Sequence, residues 1–482
     1  MLIRRQCAQV MVATVAAALA AASVALAQTK LTSTESDQQS LSLTVYNSNT
    51  ALVRDVRSVR LPAGNLELQF TDVASQIEPV TVRIVSLTAP RQLTVLEQNY
   101  RYDLLDPQKL FKYFVGKQVT LVRHVTENNS TKEVLTKATL LSDNNGPVWQ
   151  VGDQIVTGIS ADRFVFPALP PGLYSKPTLV WLLENRNAGE QKLEADYMTK
   201  AVNWNADYVL TLPVEEAAAD LSSWVTVSNS SGVNFRNTRL QLVAGQVHQA
   251  VQNIMPMAGR MMAMEAKAAA PGFSEEALSE YHLYSVERPV TLPNDSSKQI
   301  AFVHASGINV QKTYQITGQQ FYFYSPYQGG EPAKQPVEAH LKFKNSEGNS
   351  LGVPLPAGTV RVYQADSNGS VQFVGEDSIS HTPKGEDLNL YIGNAFDVTA
   401  ERKQTDFQNL GRDVYESAFQ ITIRNHKKGA VTVDVNEPVN GTWTVLQSNY
   451  KYEKTSAFSI RFRVPVEADG QSVLNYRIRV HR

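Results

Sequence analysis

The chain has 482 residues, 45 basic and 46 acidic side chains, a formal net charge of −1 and one cysteine. That balance, with no run of Lys or Arg, argues against a nucleic-acid partner, whose phosphates call for a concentrated basic surface. A lone cysteine excludes intrachain disulfides, iron–sulfur clusters and thiolate zinc sites.

Residues 1–27 have the three parts of a cleavable signal peptide. Arg4 and Arg5 give a positive start. A charge-free stretch from Val10 to Ala22 gives an apolar middle, and Ala25-Leu26-Ala27 gives the small-x-small pattern that signal peptidase needs. The expected product begins at Gln28 and is periplasmic or secreted. Cys7 leaves with the signal, so the mature chain has no thiol and carries 43 basic residues against 46 acidic. No later stretch approaches the roughly 20 apolar residues of a spanning helix, so no membrane span is expected after cleavage.

Residues 28–40 are rich in Ser, Thr and Gln and read as a flexible leader. From 41 to 170 period-2 alternation predicts an N-terminal β domain, with Leu41, Leu43 and Val45, then Leu66, Leu68 and Phe70, on inward faces. Between these strands Leu61-Pro62-Ala63-Gly64 reads as a hairpin turn. One helix stands out. Asp106 can cap it, Pro107 suits its first turn, Leu110, Phe111 and Phe114 share a face, and Gly116 can end it.

Leu169-Pro170-Pro171-Gly172 suggests a break before a central β region at 171–243. From 244 to 280 alternation fades into a Met/Ala-rich linker or insert with Pro256, Gly259, Pro271 and Gly272. Residues 281–482 return to strands, including Val431, Val433 and Val435, then Ile460, Phe462 and Val464, and predict a C-terminal β-sandwich region. A second Leu-Pro-Ala-Gly, at Leu355–Gly358, again reads as a hairpin. Asp366-Ser-Asn368-Gly369 reads as a turn rather than a calcium loop. The expected fold class is all-β, with two or more antiparallel β-sandwich-like modules, one short helix and the Met/Ala-rich linker. Polar residues on one face of each strand fit a water-soluble sheet better than an outer-membrane barrel. A faint echo links Val95–Asp103 with Val445–Glu453 and, with the two Leu-Pro-Ala-Gly turns, hints at related β-modules near each end; coincidence between two Tyr-rich strand ends is the competing reading.

No catalytic signature emerges. The histidines 124, 248, 282, 304, 340, 381, 426 and 481 show no metal-ligand spacing. His304 and Ser306 share a strand face but lack a visible orienting acid and oxyanion hole. Carboxylates such as Asp103 with Asp106, or Asp196 with Asp207, acquire acid–base roles only if the fold pairs them. The five tryptophans fall mostly in apolar patterns and read as core. No catalytic residue and no cofactor is therefore assigned. The one metal candidate is the cluster Met255, Met257, Met261, Met262 and Met264, whose thioethers suit Cu(I). Its competing reading is a flexible apolar strip.

Several stretches together resemble a known group. They are Val45–Asn49 with Ala51–Asp55, Leu61–Gly64, Leu96–Leu105, Trp204–Tyr208 and Ile423–Lys427. As a set they are similar to bacterial exported proteins carrying the domain of unknown function 4139, in a short form related to mucoidy-inhibitor-type proteins. The resemblance implies an exported β-rich protein and brings no catalytic residues. Regular all-β modules and the lack of a recognisable catalytic constellation point to a non-catalytic binding or scaffolding module of the cell envelope, with an envelope protein or glycan as partner. It would bind through an exposed sheet edge or a groove between modules. A hydrolase of cell-wall or polysaccharide material and copper handling by the methionine cluster are the alternatives.

Overall fold

An alternating strand buries its apolar face only by joining a sheet that packs on a second layer. The structure, a computed structural model, meets this requirement in three packed cores. It describes residues 29–101, 104–127, 130–170, 173–215, 218–245, 273–327 and 330–482. The expected signal peptide and the methionine cluster lie outside these residues. The fold is all-β, with six sheets and one α-helix among the described residues. Among the described residues, strand pairs are antiparallel apart from four parallel ones.

The N-terminal sandwich sets a four-stranded sheet against an eight-stranded one. Leu43, Val45 and Val53 meet Leu66, Leu68, Phe70 and Trp181 in one core. Strand Thr178–Asn185 pairs with both Gly64–Thr71 and Leu93–Arg101, so the sheet continues past the expected break near residue 170. The chain between those last partners forms a separate five-stranded antiparallel sheet, with its own core around Phe114, Leu121, Leu140 and Trp149. The helix belongs to this inserted unit. It spans Pro107–Phe114, and Asp106 accepts the Lys109 amide at 2.9 Å as its cap. Gly116 follows at a φ of 79°.

Two expectations are corrected. Residues 28–40 are no flexible leader where described. Thr29–Ser33 pairs in parallel with Gly64–Thr71, and Thr34 caps a short 3-10 turn. Backbone pairing at a sheet edge holds this polar strand, which composition alone cannot reveal. The Leu-Pro-Ala-Gly segments are not hairpins. Leu61–Gly64 carries the chain from strand Thr50–Leu61 of the eight-stranded sheet to Gly64–Thr71 of the opposite sheet. The second segment leads from a Leu355–Thr382 bridge into strand Gly358–Ala365. A Cβ on Gly358 would lie 2.1 Å from the Ala206 carbonyl oxygen, so glycine here permits the parallel approach of strand Val202–Leu212. Turn residues fix local geometry but not the sheet that the next strand joins. Asp366–Gly369 does close a hairpin, between Gly358–Ala365 and Val371–Ile379.

The expected linker at 244–280 is strand at both described flanks. Phe235–Ala244 and Phe273–Leu278 belong to the eight-stranded sheet. A five-stranded sheet centred on Val202–Leu212 extends the first core. The C-terminal sandwich packs a six-stranded sheet on a five-stranded one around Phe419, Ile421, Val433, Phe462 and Tyr476.

One device recurs at strand ends. Asn229, Asn345 and Asn425 are buried, and each donates from Nδ2 to carbonyls of two neighbouring loops. Each accepts a loop amide at Oδ1, from Ser231, Gly352 and Lys427 respectively. Asn185 does the same with the Pro62 carbonyl and the Asn187 amide. An asparagine offers donor and acceptor together, so one side chain can satisfy several buried backbone groups.

Candidate functional site

The fold disperses most residues that the sequence marks for chemistry. His304 faces Ser222 across a strand pair, with Nδ1 and Oγ 3.1 Å apart, and Ser306 lies on the same strand, also exposed. Asp196 pairs with Arg54 and Arg83, whereas Asp207 pairs with Arg361 in a different sheet. Asp106 serves as the helix cap. Trp149, Trp181 and Trp204 are fully buried, as core residues should be. His124 sits between Asp162 at 3.0 Å and Glu133 at 3.4 Å in an exposed ion network.

Among the described residues, two concave regions are lined by the most charged side chains. The first, ≈ 300 Å³, lies at one end of the N-terminal sandwich and includes Glu35, Asp55, Asp72 and Tyr197. Every carboxylate here is held by a cation. Asp55 accepts Arg57 Nη2 at 2.8 Å, Glu35 meets Arg236 at 3.2 Å, and Asp72 meets Lys176. Arg57 is fully buried. It also donates to the Ser33 and Thr71 carbonyls, and its guanidinium lies 3.6 Å from the Phe70 ring centre. Arg57 thus ties the edge strand Thr29–Ser33 into the sandwich. Burial works to raise the Asp72 carboxyl, but its bonds from Lys176, the Glu35 amide and Thr71 outweigh that and hold it below the ordinary range. A carboxyl so held stays ionised and makes a poor general acid near neutrality. Burial pushes the Tyr197 phenol well above its ordinary value, so it stays protonated. The cleft is built as a set of ion-pair locks.

The second region is a shallow groove of ≈ 600 Å³ on the outer face of the six-stranded sheet. Alternation creates it. Val433, Val435, Phe462 and Val464 point into the core, leaving Thr432, Asp434, Arg461 and Arg463 outside. Strands Gln311–Thr317 and Val431–Pro438 run parallel and pair from Tyr314 opposite Val433 onward. The groove is lined by the residues ahead of that point on both strands. Rows of polar side chains cross the sheet, as the register sets Gln315 beside Asp434 and Asp434 beside Arg463. Hydrogen bonds order them. Gln315 donates to Glu338 at 3.2 Å and accepts from Asn436 at 3.4 Å. His340 lies 3.3 Å from Glu338 and packs at 51° to the Tyr391 ring. Among the described residues, His340 Nδ1 and Arg461 Nε are buried without a hydrogen-bond partner.

This groove crosses the face of a sheet, neither at its edge nor between modules as expected. Part of it was visible beforehand, because Arg461 and Arg463 fall on the outward positions of an obvious strand. Lys342 and Asp434 come from strands distant in sequence, and only the pairing unites them. A surface of ordered, planar polar groups suits recognition of a polar ligand by hydrogen bonds and ion pairs.

A family described as Domain of unknown function (DUF4139) matches residues 193–441, just over half of the chain. Lys342 and Asp434 lie inside that span, and Arg461 and Arg463 lie beyond it. No curated protein matches the chain.

Proposed function

We propose that this chain, which belongs to the DUF4139 family, is an exported envelope protein that binds its ligand without transforming it. The sandwiches serve as a scaffold, and the outer face of the six-stranded sheet is the binding surface. The observation that carries this reading is the groove between Gln311–Thr313 and Ala430–Thr432, with its ordered polar rows. The signal-like N-terminus supports a periplasmic or secreted location. The partner is an envelope glycan or protein.

The test uses purified mature protein and washed envelope material. Saturable binding should fall in the double substitution Lys342→Glu and Arg463→Glu, and prolonged incubation should leave the material's size distribution unchanged. Steady release of fragments would overturn the reading.

Hydrolysis keeps one specific foothold, the cleft with Glu35, Asp55 and Asp72. The ion pairs there favour structural locking. Fragment release abolished by Glu35→Gln would establish the hydrolase instead. Copper handling by Met255, Met257, Met261, Met262 and Met264 rests on the sequence alone. A Cu(I) competition titration that gives equal results for the wild type and a five-Met→Leu variant would remove it.

A further inference from the structure

We infer that the groove on the six-stranded sheet binds a carboxylated polysaccharide, a conclusion that rests on the binding reading above. The charge of the groove is the first argument. On the outer face its lining holds Lys342, Arg461 and Arg463 against one carboxylate, Asp434. The whole chain, by contrast, is net negative. The groove is therefore a local cationic strip on a nearly neutral molecule. Asp434 offsets little of this, since its nearest cation, Arg463, stands 3.8 Å away with its own side chain 66% exposed.

The second argument is the kind of anion. Arg463 and Arg461 sit on one strand two residues apart, on the same face. Guanidinium forks of this kind match carboxylates two bonds at a time. Between the cations lie Gln311, Thr313 and Thr432, which both donate and accept and so suit hydroxyl groups. A chain that alternates carboxylates with hydroxyls satisfies both sets.

An acidic peptide fits less well. Both strands that flank the groove are interior to the sheet, and the stretch over which they are unpaired with one another, Gln311–Thr313 facing Ala430–Thr432, is too short for a peptide to add as a strand. The lining also offers few apolar surfaces to take peptide side chains. The groove is open and shallow, which admits a long polymer passing across it rather than a small molecule enclosed within it.

The test measures binding of the mature protein to polygalacturonate, neutral dextran and poly-glutamate at low salt. Polygalacturonate should bind, and added salt should weaken it. Dextran should not bind, and poly-glutamate should bind at least tenfold more weakly. The double substitution Lys342→Glu and Arg463→Glu should reduce polygalacturonate binding at least tenfold. Its urea midpoint should match that of the wild type, because Arg463 is exposed and Lys342 is half-buried on the outer face. Equal binding of poly-glutamate, or an unaffected double variant, would overturn the inference. So would absence of polygalacturonate binding. If envelope material still bound through this face in that case, the ligand class would fall while the binding function stood.

Discussion

Arg402 donates to Glu437 Oε1 at 2.6 Å in the core of the C-terminal sandwich, and neither side chain reaches solvent. Tyr476 accepts from Arg402 Nη1 at 3.2 Å, and the Tyr322 ring lies 4.7 Å from the guanidinium carbon. Burial works against the Arg402 charge, and the Glu437 carboxylate more than compensates, so the guanidinium is held above its ordinary value. The pair is incompletely satisfied, because Arg402 Nε and Glu437 Oε2 have no hydrogen-bond partner among the described residues.

Removing one member of such a pair strands the other charge in the core. Arg402→Met or Glu437→Leu alone is expected to cost about 3–5 kcal/mol. The double substitution, with no charge left behind, should cost less than either. Urea denaturation of the single and double variants checks this, and additive losses would contradict it. Gly318→Ala should also destabilise, because its Cβ would sit 1.9 Å from Glu437 Oε2.

The asparagines at strand ends make a second set. Asn425 Nδ2 reaches the carbonyls of Gly429 and Glu467, and its Oδ1 takes the Lys427 amide. Asn425→Ala leaves these loop groups unpaired and should cost about 1–3 kcal/mol. Asn425→Asp keeps the acceptor, loses the donor and should also destabilise. Asn229 and Asn345 should behave alike because their bonding is alike. Chemical denaturation of the alanine series is the measurement. A loss at one site with none at the others would show that the three are not equivalent.

These residues also mark the limit of what the sequence discloses. The helix is legible because Asp106, Pro107 and Gly116 carry local signals for its ends. The strands are legible because burial imposes period-2 alternation, as at Ile460, Phe462 and Val464. Pairing is not local. Nothing in Leu61–Gly64 says that the next strand joins the opposite sheet, and nothing in Thr29–Ser33 announces a partner at Leu66–Phe70. Asn425 looks like any polar residue at a strand end until two loops fold over it. The echo between Val95–Asp103 and Val445–Glu453 begins on two strands in corresponding places. Strands Leu93–Arg101 and Thr442–Ser448 are edge strands of two different sheets. The groove is hidden for the same reason, since Lys342, Asp434 and Arg463 meet only through register.

The acid side of stability should depend on Asp72. Its carboxyl is held below the ordinary range against the pull of burial, chiefly by Lys176 and the Glu35 amide. The folded state therefore binds this proton less readily than the unfolded chain. The resulting stability is complete above the unfolded carboxyl value of about 3.9 and fades as pH drops through the lower folded value. Asp72→Asn should be less stable than wild type at pH 6, and the gap should narrow by pH 2.5. A gap that stays constant with pH would refute the linkage.

His381 should govern a milder dependence closer to neutrality. Its Nδ1 accepts the Ala357 amide at 3.1 Å, which commits that nitrogen as an acceptor. Partial burial of the ring, and then the neighbouring His282, hold its pKa below the ordinary value. His282 is itself engaged by Glu275 at 2.7 Å. Protonating His381 at Nδ1 breaks the bond from Ala357 and adds a charge facing His282. The unfolded chain, free of both penalties, takes up the proton first. Stability from this group is therefore full above about pH 6.5 and declines as pH falls toward the depressed folded value. His381→Asn keeps an acceptor within reach of the Ala357 amide and cannot titrate. Urea midpoints at pH 7.5 and pH 5.5 should differ more in wild type than in this variant. Equal differences would show that His381 takes no part in the pH response.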